Sequence, residues 1–351
     1  MPEHHKGRGA AMNTPNRFAQ LSYEPIVVDR IDEEETEIRT QFLNDTSRTI
    51  LAKNDSPDIP FTYSLNPYRG CEHGCIYCYA RPSHEYLGFS AGIDFESKIL
   101  VKRNAPELLR EEFTSKHWEP QMVTLSGNTD CYQPIERKLE ITRRCLEVFL
   151  KYRNPVGIIT KNFLVTRDID ILAELASLDL VMVTITITTL NADLVRRMEP
   201  RTSTPEKRLE AIRLLTRNGI PTTVFVAPVI PGLTGEEIPA LLRAASNAGA
   251  RFAGYTMLRL PGPVEPLFLE WSARELPDRA SKIIHQVQEM RGGKLNSVEF
   301  GKRMRGEGIA ARAIDRLFKL NCKRYGMNEN NFKFATKHFR RDTQGQLEMF
   351  G

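Results

Sequence analysis

The chain has 351 residues, 41% of them hydrophobic and 26% charged, which suits a globular protein with one large catalytic domain and appendages, or two domains. No run of about 18 apolar residues occurs, which argues against a membrane helix, and six cysteines in so long a chain make a poor disulfide framework. The net charge of +5 is uneven: positions 302–341 carry twelve Lys and Arg against Glu307, Asp315 and Glu329, an excess of +9, while "DRIDEEETE" (29–37) is acidic.

The N-terminus, "MPEHHKGRGAAMNTPNRF", is basic but has no apolar core, so it does not read as a secretory signal. With half the cysteines clustered, the expected compartment is the cytoplasm. Residues 1–57 read as an extension that ends in the loop "NDSPDIP". Strand-like runs follow at 61–65, 122–126, 156–160, 180–188, 222–228 and 254–260, and "KILVKR" (98–103) reads as an edge element. Helical patterns fill 134–152, 167–178, 205–218 and 235–249. Thr204 and Pro205 open the third of these, and Thr234 with Glu237 predicts a capping box for the fourth. Strands alternating with helices give an α/β fold of parallel units, either a full or partial barrel or an open doubly wound sheet.

The chemistry concentrates in "NPYRGCEHGCIYCYARP" (66–82), where Cys71, Cys75 and Cys78 lie within eight positions. A structural zinc needs four ligands, for which His73 or His84 is available. A redox dithiol would use Cys75 and Cys78 and leave Cys71 over. A fully ligated [4Fe–4S] cluster wants a fourth cysteine, and none is near. The remaining option is a [4Fe–4S] cluster on three thiolates with one iron open.

"CEHGCIYC" resembles the cluster loop of the radical S-adenosylmethionine (radical SAM) superfamily. "NPYRGC" and "CYARPSHEYLG" resemble its spore photoproduct lyase-like branch, in particular an uncharacterised bacterial group within it. The resemblance implies a partial (β/α)6 barrel of the radical SAM type over 58–290, with N- and C-terminal extensions (1–57 and 291–351). It implies that Cys71, Cys75 and Cys78 bind the cluster and that the open iron chelates S-adenosylmethionine. It also implies that a donor such as flavodoxin or ferredoxin supplies electrons. Tyr77 lies beside the cofactor in this scheme. In "SGNTDCYQP", Ser126, Thr129 and Asp130 stand where relatives receive the cofactor's amino group, with Asp130 as acceptor; the same residues suit a turn. Lys161 would pair with the cofactor's carboxylate, Thr186 would lie near its ribose, and Arg201 would sit above the barrel mouth with Glu199. Cys131 would serve as hydrogen-atom donor, a part played in the lyases by a cysteine that aligns nearer Gly127; its other reading is a buried small hydrophobe.

In the C-terminal region, Arg312, Arg316, Lys319 and Lys323 form one stripe on a helix whose apolar side holds Ile314, Leu317 and Phe318. "NNFKFATKHFRRD" interleaves Phe332, Phe334 and Phe339 with basic residues, which suits a nucleic-acid partner or docking onto the barrel. A damaged base is the substrate expected from the lyase resemblance, which makes DNA repair the expected process. A peptide or small molecule, or a non-catalytic metal-stabilised nucleic-acid binder, is the alternative. The final "GQLEMFG" resembles a sliding-clamp docking peptide through Gln346, Leu347, Met349 and Phe350.

Overall fold

The computed structural model describes residues 5–18 and 38–341. The clamp-like peptide and the acidic stretch 29–37 lie outside them. The strands are β1 (Gln41–Asn44), β2 (Leu51–Lys53), β3 (Tyr63–Leu65), β4 (Tyr68–Arg69), β5 (Lys98–Val101), β6 (Val123–Leu125), β7 (Val156–Thr160), β8 (Val181–Thr186), β9 (Thr222–Val229) and β10 (Phe252–Met257). Seven form a sheet in the order β10-β9-β8-β7-β6-β3-β2. Every pair in it is parallel except the β2–β3 hairpin. The six parallel strands therefore follow chain order with no reversal. A doubly wound sheet needs a reversal; a barrel that stops short of closure does not. Short runs such as "VGIIT" form strands here because their alternate residues, Val156, Ile158 and Thr160, are fully buried.

Two local expectations are corrected. β5 is no edge element, because it is the middle strand of a separate sheet, β1-β5-β4, with Ile99 and Val101 buried. Thr234 and Glu237 make no capping box. Thr234 Oγ1 accepts from Ile230 N at 2.9 Å, and Glu237 turns away to accept from Thr189 Oγ1 at 2.6 Å and Leu190 N at 2.8 Å. Thr204 does cap its helix, accepting from Lys207 N at 3.4 Å. Helices Ala105–Thr114, Val264–Glu275 and Pro277–Glu289 add to those expected.

The β10 side of the large sheet is covered. Along β10, Met257 N donates to Met304 O at 2.9 Å, and the Asn328 side chain bonds both backbone groups of Ala253 at 2.9 Å. The loop 299–306 then reaches the hairpin loop after β2, where Asp58 accepts from Gly301 N at 2.7 Å and from Arg303 Nε at 2.6 Å. One segment thus spans the gap that the strands leave. Exposed sheet edges invite pairing with other chains, so this cover protects the β10 margin and ties it to the β2–β3 hairpin.

The basic segment after helix Gly308–Arg324 runs across the N-terminal ends of the strands. Asn328 N donates to Arg251 O, Ala335 N to Asp179 O and Arg340 N to Tyr152 O, each a residue just before β10, β8 or β7. Phe339 packs edge-on to Phe113, and Arg341 donates to Trp118 O at 2.6 Å. These residues dock on the barrel at the end opposite the cysteine loop.

Residues 8–11 are interior. Arg8, Ala10, Ala11 and Thr14 are buried, and Gly9 N and Ala10 N donate to the two carboxylate oxygens of Glu96, each at 2.9 Å. A Cβ on Gly9 would stand 1.9 Å from the carbonyl oxygen of Gly74, inside the cysteine loop. Gly9→Ala must therefore lift this strap from the loop. It is expected to cost about 1–3 kcal/mol in chemical denaturation and to speed proteolysis near residue 9; unchanged stability would show that the strap contributes nothing.

Candidate active site at the strand ends

The cysteine loop is built from its backbone outward. Cys71 N donates to Phe95 O at 2.9 Å, Ile76 N to Met198 O at 3.1 Å and Cys78 N to Cys75 O at 3.2 Å. Gly74 adopts φ +66°, and a Cβ there would meet Glu96 Oε2 at 2.8 Å, so the turn needs glycine. Arg81 lies fully buried below. It donates from Nε and Nη2 to Cys75 O at 3.1 and 2.9 Å, from Nη1 to Ala91 O and Gly92 O, and it pairs with buried Glu96.

Cys71 and Cys75 are buried, Cys78 is half-buried, and all three are free thiols. Burial pushes Cys75 well above its usual range, with the charge of Glu199 adding to it. Burial and the neighbouring Cys71 raise Cys78 to about 11. Among the described residues no three His, Cys, Asp or Glu side chains converge to hold a single metal ion. A cubane cluster anchors each thiolate on a different iron and needs no such convergence. The histidines add no ligand. The two ring nitrogens of His73 face Asp130 at 3.3 Å and Asn162 at 3.2 Å, and His84 sits between Phe89 and Phe95. The donor set therefore fits a cluster held on three thiolates and lacks a closed zinc site.

Lys161 follows β7. Its ammonium lies 5.8 Å from the centre of the Tyr77 ring and 3.3 Å from Ala227 O. It is close enough to Cys75, Cys78 and Glu199 to favour their ionised forms. Tyr77 is buried, and its hydroxyl donates to Glu199, with Thr188 Oγ1 at 3.1 Å. Glu199 is the hub of this group: fully buried, paired with Arg208 and accepting from Thr188 at 2.6 Å. Burial works to raise its pKa, but Arg208 and Lys161, with the Thr188 and Tyr77 bonds, hold it at about 2. Thr186 ends β8, buried, with its carbonyl accepting from Arg208 Nη1 at 3.1 Å. Arg201 instead braces the outside of the loop, with Nη1 3.3 Å from Glu72 Oε1.

The segment after β6 is occupied by its own bonds. Ser126, at φ +87°, accepts from Cys131 N at 3.0 Å, and Thr129 Oγ1 donates to Tyr68 O at 2.6 Å. Asp130 accepts from Thr160 Oγ1 and Tyr132 N on one oxygen, and from Lys161 N and His73 on the other. Those four donors fill the roughly four lone-pair positions of a carboxylate, so an incoming ammonium would have to displace one. Burial disfavours charge on His73, but Asp130 and Cys71 outweigh it and raise its pKa to about 10. Burial likewise opposes the Asp130 charge, and His73 more than offsets it and lowers the pKa. Cys131 has no exposed surface, lies in the main core, and its thiol is pushed up by burial.

The residues underrated from sequence are Glu199, Thr188 and the Arg81–Glu96 pair. "MEPR" and the third threonine of "TITITT" were visible signals for the first two.

The family model described as Radical SAM superfamily matches residues 65–245. An uncharacterized protein of Mycobacterium tuberculosis is 36% identical over 250 residues, covering 69% of this chain and 74% of the relative. An uncharacterized protein of Methanocaldococcus jannaschii is 34% identical over 175 residues, covering 50% and 63%. Among solved structures, spore photoproduct lyase complexed with dinucleoside spore photoproduct shares this fold at TM-score 0.58 and 15% identity, covering 82% of this chain and 80% of that one. No helix among the described residues is long and apolar enough to cross a membrane. The chain belongs to the radical SAM superfamily, whose enzymes use a [4Fe–4S] cluster and S-adenosylmethionine.

Proposed function

We propose that Cys71, Cys75 and Cys78 hold the [4Fe–4S] cluster, that this enzyme cleaves S-adenosylmethionine reductively, and that its substrate is a nucleic acid, a damaged base in DNA being the first candidate. The observation that supports the cluster assignment is three free thiols within eight positions of one loop, Cys71 and Cys75 buried, while both ring nitrogens of the neighbouring His73 face Asp130 and Asn162. Held by Cys71, Cys75 and Cys78, such a cluster would supply the electron for reductive cleavage of S-adenosylmethionine.

The chain's own residues bind and orient. Lys161, near Tyr77, would pair with the cofactor's carboxylate, and Thr186 at the end of β8 would lie near its ribose. Glu199 keeps Tyr77 and Lys161 in place through its bond to one and its charge toward the other. Asp130 fixes the Lys161 backbone and His73 rather than offering free oxygens. The apolar residues Ile76, Leu194, Met198 and Leu258 pack with Cys75 and exclude water from one side of the loop. Reduction calls for a small electron donor such as flavodoxin or ferredoxin.

The nucleic-acid reading is supported by the likeness to a lyase solved with a dinucleoside photoproduct. Cys131 would act as hydrogen-atom donor only if the segment after β6 opens, since its thiol is enclosed. The test is anaerobic. The reconstituted, reduced protein should show a [4Fe–4S] EPR signal that shifts with S-adenosylmethionine, and should release 5′-deoxyadenosine faster with ultraviolet-damaged oligonucleotides than without. Tightly held zinc with no cleavage would overturn the cluster assignment, and cleavage indifferent to any oligonucleotide would overturn the substrate class.

A further inference from the structure

Three arginines meet at the strand-end side of the gap. Arg259 follows β10, Arg291 follows helix Pro277–Glu289, and Arg303 lies in the loop that spans the gap. Burial lowers the pKa of Arg259, and the charge of Arg303 lowers it further. Burial, and then the charge of Arg259, bring Arg291 down to about 10. Asp58 is the carboxylate among them, and its two oxygens are committed to Gly301 N and Arg303 Nε.

The remaining donors are under-used. Arg291 is 6% exposed; it donates through Nη2 to Leu258 O and Arg303 O, while its Nη1 is buried with no partner. Arg259 Nε is also buried without a partner, and its Nη1 reaches only the Met304 sulfur, at 3.5 Å. Sulfur is a weak acceptor, and a buried charged donor left unsatisfied is costly. Arg303 is committed to Asp58 and Ser56, so the free donors are Arg259 Nε and Arg291 Nη1; with two positive charges in excess of Asp58, they define a place for an oxyanion. Phosphate suits it best, because its oxygens match the guanidinium fork and it spreads more than one negative charge. Aromatic rings stand at the rim. Phe300 is 56% exposed with the Arg303 guanidinium 4.4 Å from its centre, and Tyr79, next to Cys78, is 53% exposed and within the field of Arg259.

We propose that Arg259 and Arg291, beside Arg303, bind a phosphate group of the substrate's sugar–phosphate backbone, with Phe300 and Tyr79 as stacking surfaces for the adjoining base. This rests on the nucleic-acid reading above and gives it a location. The basic segment 328–341 docks at the opposite end of the barrel, and the stripe Arg312–Lys323 lines a groove on an outer helix. The arginine cluster, by contrast, is on the strand-end side, where Arg259 acts on Tyr79, the residue after Cys78.

The test is fluorescence anisotropy of the full-length protein with a short dye-labelled single-stranded DNA, over a salt series. Arg259→Gln is expected to weaken binding about tenfold and to flatten the salt dependence by about one counterion, as loss of a phosphate contact does, whereas Arg291→Lys, which keeps the charge but loses the guanidinium fork, is expected to weaken binding with the salt slope retained. Arg312→Gln with Arg316→Gln should leave affinity near that of the unaltered chain. Circular dichroism confirms folding, and Arg259→Gln, on the half-buried member, keeps the test decisive should Arg291→Lys unfold. Unaltered affinity and salt slope in folded Arg259→Gln would overturn the proposal. If the unaltered protein binds no oligonucleotide, the nucleic-acid reading falls, and pyrophosphate decides the site separately. A melting temperature raised by pyrophosphate in the unaltered protein but not in Arg259→Gln would keep the phosphate site for a mononucleotide substrate; no rise in either would remove it.

Discussion

Replacing Cys75 by alanine is expected to abolish both the [4Fe–4S] EPR signal and 5′-deoxyadenosine formation while leaving the fold intact. Cys75 is the middle of the three thiols, and its main chain is held by bonds that do not involve sulfur: its carbonyl accepts twice from Arg81 and once from Cys78 N. Its side chain packs with Ile76, Leu194 and Met198, where alanine is a smaller apolar fit. The loss is therefore of a ligand and little else, and the far-ultraviolet circular dichroism of the variant should match that of the unaltered chain. Two thiolates cannot hold a cubane that needs three, and neither histidine is placed to substitute. Cys131→Ala, made in parallel, should keep the cluster. A Cys75→Ala protein that retains cluster and cleavage would sink the ligand assignment.

Arg81→Met carries the next largest effect, and here the expected loss is of stability. Arg81 and Glu96 are both fully buried and paired, and Arg81 also holds the carbonyls of Cys75, Ala91 and Gly92. Removing one partner of a buried pair leaves the other charge stranded, which costs about 3–5 kcal/mol. Glu96 would keep only Gly9 N and Ala10 N as donors to its carboxylate among these contacts. Chemical denaturation of the cluster-free protein measures the loss directly, and iron retained after reconstitution reports the loosened loop. Adding Glu96→Gln to Arg81→Met removes the stranded charge and should recover part of the stability. A single variant as stable as the unaltered chain would mean that the pair contributes nothing to the loop's foundation.

The parallel strands were legible because each is a short apolar run between helical patterns, bounded by turn residues, as in "VGIIT" and "TTVFVAP". The cysteine loop was legible because its chemistry lies in eight consecutive positions. What stayed hidden depends on distant partners. "GRGAAMN" reads as a loose tail until Glu96 and Gly74 are seen to meet it. Asp130 reads as a free acceptor until Thr160, the Lys161 amide and His73 converge on it. The "NNFKFATKHFRRD" segment gave balanced readings; the bonds from Ala335 and Arg340 to the far ends of the strands favour docking for that stretch. Burial and long-range pairing decide these cases, and neither has a local pattern.

The Asp58–Arg303 bond has a consequence for synthesis. It joins positions 245 residues apart, the β2–β3 hairpin at one margin of the sheet and the covering loop at the other. On the ribosome, β2 and β3 emerge early, while the loop that reaches them follows β10 and two further helices. Until then a growing chain carries bare strand margins, the condition in which nascent proteins pair with one another or recruit chaperones. Assembly of the sheet can run ahead strand by strand, since each neighbour in space is also the next parallel strand in the chain, but its sealing has to wait for nearly the whole polypeptide.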